Sequence, residues 1–270
     1  MRVTTLGLVT DLMLARWSSD VLDRGGYLIV RTPREPDFWM GNALVVPAPS
    51  VDDDAGLWLG RWQGVFEREH AGAAHRALLV DGDVRADVEA AVDVAGWVMQ
   101  RNVALVATAL SDEAPPAGVE VRVVRGDAAW AQVTALALAS DEHAARVSGG
   151  EPLDDVYRAF VSARTRTKRA WCEAGRGSWW GAYAGGALVG SLGLFAQDGL
   201  GRYQDVVTHP AWRRQGIARS LLCAAGRDAL VRVAKRVVIV AMQGSDAARL
   251  YRAVGFTPAE VSSELLRRPR

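Results

Sequence analysis

The chain has 270 residues, of which 50% are hydrophobic and 23% are charged. This composition excludes a mainly disordered chain, and the length allows two domains of ordinary size. No stretch approaches the roughly 18 uninterrupted apolar residues of a membrane-spanning helix, and the first residues lack a signal peptide's apolar core. Cys172 and Cys223 match no metal-ligand spacing and give no disulfide scaffold, so we expect a reducing cytoplasm.

The two halves of the chain carry opposite charge. Residues 1–118 hold 10 basic and 17 acidic side chains (10 − 17 = −7), whereas residues 119–270 hold 22 and 14 (22 − 14 = +8). This asymmetry favours two domains with different roles and an anionic ligand for the second, although opposite charges could equally help the halves dock. The polar and then Pro/Gly-rich segment 111–118 predicts the boundary, giving domains 1–118 and 119–270.

The first domain is predicted to alternate strands and helices. The strands are Tyr27–Arg31, Ala43–Val46, Arg76–Val80 and Val103–Ala109, and the helices are Leu57–Glu69 and Ala86–Gln100. The order from Ala43 onward repeats the order from Tyr203 onward, as either an old duplication or convergent α/β alternation would produce.

The second domain is predicted to be an α/β layered domain. Its strands are Val119–Val124, Trp179–Ala184, Ala187–Phe195, Tyr203–Thr208, Arg236–Ala241 and Ser262–Arg267; its helices are Ala128–Ser140, Asp154–Gly175, Gly216–Val233 and one from Ser245 to Val254.

The most informative stretch follows the strand that ends at Thr208. Pro210 marks a turn, and the pattern Arg-x-x-Gly-x-Ala from Arg213 to Ala218 opens a long helix. Backbone amides in the first turn of a helix have no internal acceptor and lie at the positive end of the helix dipole. With Gly216 keeping the turn free of bulk and arginines around it, this segment predicts a cradle for a pyrophosphate.

These residues resemble the GNAT superfamily of acyl-CoA-dependent N-acyltransferases. Arg213–Ala218 fits that family's phosphate-binding motif, and the segment from Ala247 to Phe256 fits its second signature, Ala-x-x-Leu-Tyr-x-x-x-Gly-Phe. The resemblance covers about residues 119–270 and implies a GNAT-type mixed sheet flanked by helices. The first half is then a degenerate GNAT-like copy or an accessory α/β domain.

The resemblance implies acetyl-CoA as co-substrate and assigns site residues. Backbone groups of Val206, Val207 and Thr208 would pair with the pantetheine arm. Tyr251 would donate a proton to the departing thiolate, because the pKa values of a phenol and a thiol lie within about 2 units. The pyrophosphate would be held by the cradle, which comprises Arg213, Arg214, Gln215, Gly216, Ile217, Ala218 and Arg219.

A general base is also required, because an alkylammonium cannot attack a thioester. Asp205 is chemically the better candidate than Gln204, and strand alternation lets only one of them face the substrate. Asp205 could instead be a structural carboxylate paired with an arginine, and a water chain to a distant carboxylate is an alternative. His209, on the turn beside the cradle, is interpreted as a solvated or phosphate-side residue.

Two departures from the family pattern affect these expectations. Gly244 stands where family members often carry Asn, so Ser245 or a backbone group would take over that contact with the coenzyme. Only 14 residues follow Phe256, so the sheet edge is expected to be completed by the first half or by a second chain. In the first half, the run Asp52–Asp54 would repel a pyrophosphate, which predicts one acyl-CoA per chain.

The expected function is transfer of an acetyl group from acetyl-CoA to an amine of a small molecule or peptide. We expect no membrane and no metal, nucleic acid is not the expected partner, and a homodimer is compatible with the sequence. The basic run Arg164–Arg169 is interpreted as a solvated helix face, with nucleic acid or the adenosine 3′-phosphate of the coenzyme as alternative contacts. Two other classes are kept: a non-catalytic acyl-CoA-binding regulatory module, and an arginine-rich nucleic-acid binder, which would show steep salt dependence.

Overall fold

The computed structural model describes residues 1–269, which divide into two compact units. Unit 1 comprises Met1–Leu105, Val240–Arg249 and the described residues from Pro258 onward; unit 2 comprises Val106–Ile239 and Leu250–Thr257. The division therefore differs from a single cut at residue 118, because a stretch near the C-terminus groups with unit 1. None of the described helices is long and apolar enough to cross a membrane.

Unit 1 is a mixed sheet with helices. Its strands follow the order β1-β2-β3-β4-β11-β5. The last strand of the chain, β11, pairs antiparallel with β4, which explains why it groups with unit 1. The elements are α1 (Leu6–Ala15), β1 (Asp20–Asp23), β2 (Leu28–Arg31), β3 (Ala43–Pro47), α2 (Ala55–Glu69), β4 (Arg76–Asp81), α3 (Ala86–Val94), β5 (Val98–Ala107) and β11 (Thr257–Arg267).

The strands of unit 2 form mixed sheet in the order β10-β9-β8-β7-β6. Its helices α4 and α5 precede the β7–β8–β9 meander, and α6 connects the parallel strands β9 and β10. The elements are β6 (Val119–Val123), α4 (Asp127–Val147), α5 (Asp155–Glu173), β7 (Gly177–Ala184), β8 (Ala187–Gln197), β9 (Leu200–Thr208), α6 (Ile217–Arg232), β10 (Arg236–Met242) and α7 (Asp246–Val254), which begins in the stretch grouped with unit 1.

Helix α6 packs closely on β8 because β8 carries a glycine at the contact. A Cβ atom on Gly190 would lie 2.6 Å from Cγ2 of Ile217 and 3.1 Å from Cδ1 of Leu221, closer than carbon atoms pack. Ile217, Leu221 and Leu222 are fully buried on this face of α6. Dense packing of these apolar residues fixes the start of α6 relative to the end of β9.

The structure confirms the α/β class and most predicted elements, and it corrects several others. The predicted helix Ala86–Gln100 ends at Val94, because Gly96 adopts a left-handed φ of 73° and β5 starts at Val98. The helix predicted for residues 128–140 runs from Asp127 to Val147, since no Gly or Pro interrupts it. Helix α1, whose residues are mostly buried, and the short strand β1 were not predicted.

Candidate acyl-CoA site

Strand β9 leaves part of one edge open in unit 2. Its parallel register with β10 covers Leu200–Arg202, whereas its antiparallel register with β8 continues to Thr208. The His209 amide donates to the Val189 carbonyl of β8 at 2.9 Å. Because backbone direction alternates along a strand, Val206 and Thr208 present their backbone groups on the open side and Val207 faces β8. Of the three residues predicted to contact pantetheine, two therefore present their backbone groups on the open side of β9, where an extended ligand chain could pair with them.

A β-bulge lies just before this open edge. Between Gln204 and Val207 the β9 chain takes three steps while β8 takes two, from Gly193 to Ser191. Asp205 has a φ of +47°, the left-handed conformation that accommodates the extra residue. The bulge interrupts the regular alternation of side chains along β9. Alternation alone therefore cannot decide which of Gln204 and Asp205 faces the substrate.

The turn between β9 and α6 aims uncapped backbone amides outward. Arg214 and Gly216 have φ values of 62° and 84°, and no side chain caps the helix. The first intrahelical bond runs from Ser220 to the Gly216 carbonyl at 3.0 Å. Among the described residues, the amides of Ile217 and Ala218 find no acceptor. Amides in this arrangement can bind an anion, and the predicted pyrophosphate contact stays a prediction.

Gly216 is required for its backbone conformation. The atom nearest to a Cβ built there is Cγ of Pro116 at 3.7 Å, an ordinary contact distance. Its φ of 84° is the feature that disfavours other residues. The room that glycine leaves for an approaching phosphate stays a prediction.

The arginines around the turn have different roles. Arg213 donates to the Thr208 carbonyl and to Oγ of Ser140, both at 3.4 Å, so its charge stays beside the turn. The Arg219 guanidinium instead contacts Glu113 at 2.8 Å and the Ala253 carbonyl at 3.0 Å, which ties α6 to the end of α7. For Arg219, its backbone amide remains the better candidate contact for an anion.

Tyr251 lies on the buried side of α7 in unit 2. Its side chain is 6% exposed, and its ring is 6.3 Å from Phe256, which packs edge-on against Tyr203 of β9 at 5.7 Å. Burial raises the pKa of Tyr251 to about 12, although the positive charge of Arg202 opposes the shift. The phenol therefore stays protonated at neutral pH, but it is a weaker acid than the sequence analysis assumed.

Gly244 and Ser245 form the entry to α7. Gly244 has a φ of 77°, and its carbonyl accepts from Arg249 at 2.6 Å. Oγ of Ser245 accepts from the Ala248 amide at 3.2 Å, the bond of a helix N-cap. The Ser245 hydroxyl thus caps the helix here, and its predicted contact with the coenzyme remains a proposal.

Four polar side chains of unit 2 gather at the β9 bulge, and we call them the bulge cluster: Asp141, Tyr157, Lys168 and Asp205. Asp205 forms an ion pair with Lys168, whose side chain is only 13% exposed and whose Nζ lies 5.8 Å from the Trp179 ring centroid. Tyr157 donates to Oδ2 of Asp141 at 3.1 Å. Lys168 therefore does not belong to a solvated helix face, contrary to the interpretation of the basic run.

Sequence reasoning missed Asp141 and Tyr157 in this cluster. Burial raises the pKa of the Asp141 carboxyl, and the charge of Asp205 adds to the shift while the Tyr157 hydrogen bond opposes it. Burial, with the charge of Asp141, raises the pKa of Tyr157 to about 12. No short motif links Asp141 on α4 with Tyr157 on α5. Only the position of each residue on the face of its helix that packs against the other helix could have indicated them.

The corresponding segment of unit 1 lacks these features. The register of β3 with β4 continues through Pro47, the last residue of β3. Asp54 caps α2 by accepting from the Leu57 amide at 2.9 Å. A carboxylate thus already accepts a hydrogen bond at the start of α2, and its negative charge would repel a phosphate.

The comparisons with known proteins fit this geometry. The acetyltransferase (GNAT) domain family matches residues 175–258, which span β7, β8, β9, α6, β10 and α7. A search of curated proteins finds no match.

Several solved structures share the fold. A functionally unknown conserved protein from Staphylococcus epidermidis has a TM-score of 0.72 at 14% identity, covering 93% of this chain and 95% of that one. A GCN5-related N-acetyltransferase from Kribbella flavida has a TM-score of 0.62 at 19% identity, covering 95% and 92%. A tandem GNAT protein from the clavulanic acid biosynthesis pathway has a TM-score of 0.50 at 16% identity, covering 78% and 71%.

The family match lies on the segment that builds the open edge of β9, the uncapped start of α6 and the buried Tyr251. The structural neighbours share the architecture of both halves of the chain. Residues 175–258 therefore match the GNAT acetyltransferase domain family, and the chain has the α/β fold seen in the GNAT structures it resembles.

Proposed function

We propose that this chain is an N-acetyltransferase that moves the acetyl group of acetyl-CoA directly to the amine of a small molecule or peptide. Bound acetyl-CoA supplies a thioester-activated acetyl group. The single observation that carries the proposal is the open edge of β9 next to the uncapped start of α6. The edge of β9 offers hydrogen bonds to an extended amide chain, and the start of α6 offers backbone amides to an anion.

The residues of unit 2 fit the two ends of such a ligand. The backbone groups of Val206 and Thr208 are proposed to pair with the pantetheine amides. The amides from Arg214 to Arg219 are proposed to hold the pyrophosphate, with the guanidinium groups of Arg213 and Arg214 nearby. The positive charge of the second half of the chain, +8 over residues 119–270, supports an anionic co-substrate.

The chemistry needs a proton acceptor and a proton donor. As the new C–N bond forms and the C–S bond breaks, the amine loses a proton and the sulfur gains one. Tyr251 is proposed as the hydrogen-bond and proton donor to the sulfur, because its buried phenol carries a proton at neutral pH. A carboxylate at the β9 bulge, Asp205 or Asp141, is proposed to accept the proton from the amine.

The test begins with calorimetric titration of acetyl-CoA, with CoA as comparison. It continues with thiol release in the presence of polyamines, aromatic amines and short peptides with free amino groups. We expect binding at one site and faster thiol release with at least one amine. Binding without thiol release for every amine would contradict the catalytic proposal.

A non-catalytic acyl-CoA-binding module is the second candidate, and three observations favour it. Gly244 replaces a frequent family contact, Lys168 neutralises Asp205, and burial weakens Tyr251 as an acid. Such a module would bind acetyl-CoA and leave its thioester intact. The same two measurements separate it from an enzyme.

We further propose a cytoplasmic location and a homodimer. Cys172 and Cys223 are both free thiols in the structure, in keeping with a reducing compartment. Light scattering of the purified chain tests the homodimer, since a mass near 29.1 kDa would show a monomer.

A further inference from the structure

The bulge cluster contains two carboxylates in different surroundings, and this difference separates their roles. Asp205 is paired with the ammonium group of Lys168. Asp141 accepts a hydrogen bond from the hydroxyl of Tyr157, a donor without charge. An oxygen of Asp205 is thus already engaged by an ammonium group, whereas the partner of Asp141 carries no charge. Of the two, Asp141 is therefore the better placed to accept a proton from an amine.

Asp141 also lies between the two parts of the acyl-CoA site. Its neighbour on α4, Ser140, accepts from Arg213 of the phosphate-binding turn at 3.4 Å. Its other side faces the bulge of β9 through Asp205 and Lys168, both of which influence its ionisation. Asp141 therefore stands at the side of β9 where its backbone leaves regular strand geometry and the predicted acyl group would end.

We propose that Asp141 is the general base of the acetyl transfer and that Asp205 and Lys168 are positioning residues that tune it. This inference rests on the proposed acetyltransferase function. An oxygen of Asp141 takes the proton from the acceptor ammonium, directly or through one water molecule. The freed nitrogen lone pair attacks the thioester carbonyl and forms the C–N bond, the C–S bond breaks, and Tyr251 protonates the departing thiolate. The second proton of the nitrogen then passes to the Tyr251 phenolate, which leaves a neutral amide, and Asp141 releases its proton to solvent.

The ionisation of Asp141 is set by groups from the elements packed against α4. From α5, Tyr157 and Lys168 favour the ionised carboxylate; from β9, Asp205 disfavours it. Strand β8 has no ionisable side chain in its sequence, and neither has the short helical turn Pro210–Trp212. Burial further disfavours the charged form, which moves the carboxyl toward the range in which a base both accepts and releases protons.

The first experiment compares Asp141→Asn with the parent chain, using the most active amine of the panel above. We expect turnover to fall roughly 100-fold, within the range usual for loss of a general base, with acetyl-CoA affinity unchanged by calorimetry. Asp127→Asn is the matched control, because Asp127 lies on the same helix in an exposed ion pair with Arg169. Parent-like turnover of Asp141→Asn would overturn the proposal.

The pH dependence gives a second test that a structural role would not reproduce. Turnover should rise with pH as the base loses its proton. Asp205→Asn removes a negative charge and should move this rise to lower pH, whereas Lys168→Met removes a positive charge and should move it to higher pH. The amine is the same in every case, so its own ionisation does not affect the comparison. Shifts in the same direction, or none, would overturn the assignment.

These outcomes separate the inference from the proposed function. A parent chain that releases no thiol with any amine contradicts both. An active parent with an equally active Asp141→Asn variant contradicts only the role of Asp141. If Asp141→Asn does not fold, as a lowered melting temperature or lost acetyl-CoA binding would show, the opposite shifts of the other two variants decide the question.

Discussion

Burial gives individual side chains of this protein their chemical character. Tyr251 is the main example, because it lies in an apolar contact with Phe256 and its pKa rises to about 12. A phenol in this state does not ionise at neutral pH. It can stabilise a leaving sulfur by a hydrogen bond and transfer its proton only as charge develops there.

We predict that Tyr251→Phe lowers turnover by roughly 10²-fold, because it removes the proton donor. Acetyl-CoA affinity should change little, since the ring and its apolar contacts remain. The measurement is steady-state thiol release together with calorimetry. Tyr183→Phe is the matched control: the Tyr183 hydroxyl is buried without a hydrogen-bond partner among the described residues, so its removal should leave turnover unchanged.

A histidine in unit 1 gives a prediction about pH and stability. Burial lowers the pKa of His70 to about 4, from about 6.5 in an unfolded chain. Below pH 6.5 the unfolded chain therefore binds a proton that the folded chain does not, and stability falls as the pH decreases toward 4. Urea unfolding between pH 7 and pH 4 should show this loss, and His70→Gln should show less of it. An equal loss in both would contradict the role of His70.

At the scale of elements, the start of α6 is the decisive feature. Its amides point outward because Gly216 adopts a left-handed φ of 84° and offers no capping side chain. The helix is held in place by close packing of Ile217 on Gly190. Backbone conformation and packing together therefore present the anion site.

We predict that Gly216→Ala weakens acetyl-CoA binding roughly 5-fold. A side chain at this φ costs about 1 kcal/mol, which would be lost from the bound conformation. Gly60→Ala is the control, because Gly60 lies within α2 with open space around it. That change should raise stability by about 0.5–1 kcal/mol and leave affinity unchanged. If the parent chain, Gly216→Ala and Gly60→Ala bind acetyl-CoA with equal affinity, Gly216 has no role in the site.

The sequence was informative where the site is contiguous. The turn after β9, the start of α6 and Tyr251 on α7 follow one another closely, so turn and helix patterns predict them. The bulge cluster was missed because Asp141 and Asp205 are far apart in the chain and meet only through the packing of α4, α5 and β9. Bulge formation at Asp205 depends on pairing with β8, which residue patterns do not report.

At the scale of the whole molecule, the two units have related elements and different chemistry. Both contain an antiparallel strand pair followed by a parallel strand, with β2-β3-β4 in unit 1 and β8-β9-β10 in unit 2. In unit 1, the pairing of β3 continues to Pro47 and Asp54 caps the helix that follows. In unit 2, by contrast, β9 places an open edge directly before α6, a helix that no side chain of the described residues caps, so we propose a single acyl-CoA site per chain.

We predict that Asp54→Ala lowers the free energy of unfolding by about 1 kcal/mol, because α2 loses its N-cap. The number of acetyl-CoA sites should remain one, since the open edge and arginine-lined turn of unit 2 have no counterpart in unit 1. Urea unfolding and calorimetry of this variant test both statements. A second site created by the substitution would show that the aspartate alone had closed unit 1 to the ligand.

The most direct test of this account is calorimetric titration of acetyl-CoA into the purified parent chain. The account predicts saturable binding with one site per chain, lost affinity in high salt because the pyrophosphate contact is electrostatic, and weaker binding to Gly216→Ala. Two sites per chain, or no binding at all, would contradict it.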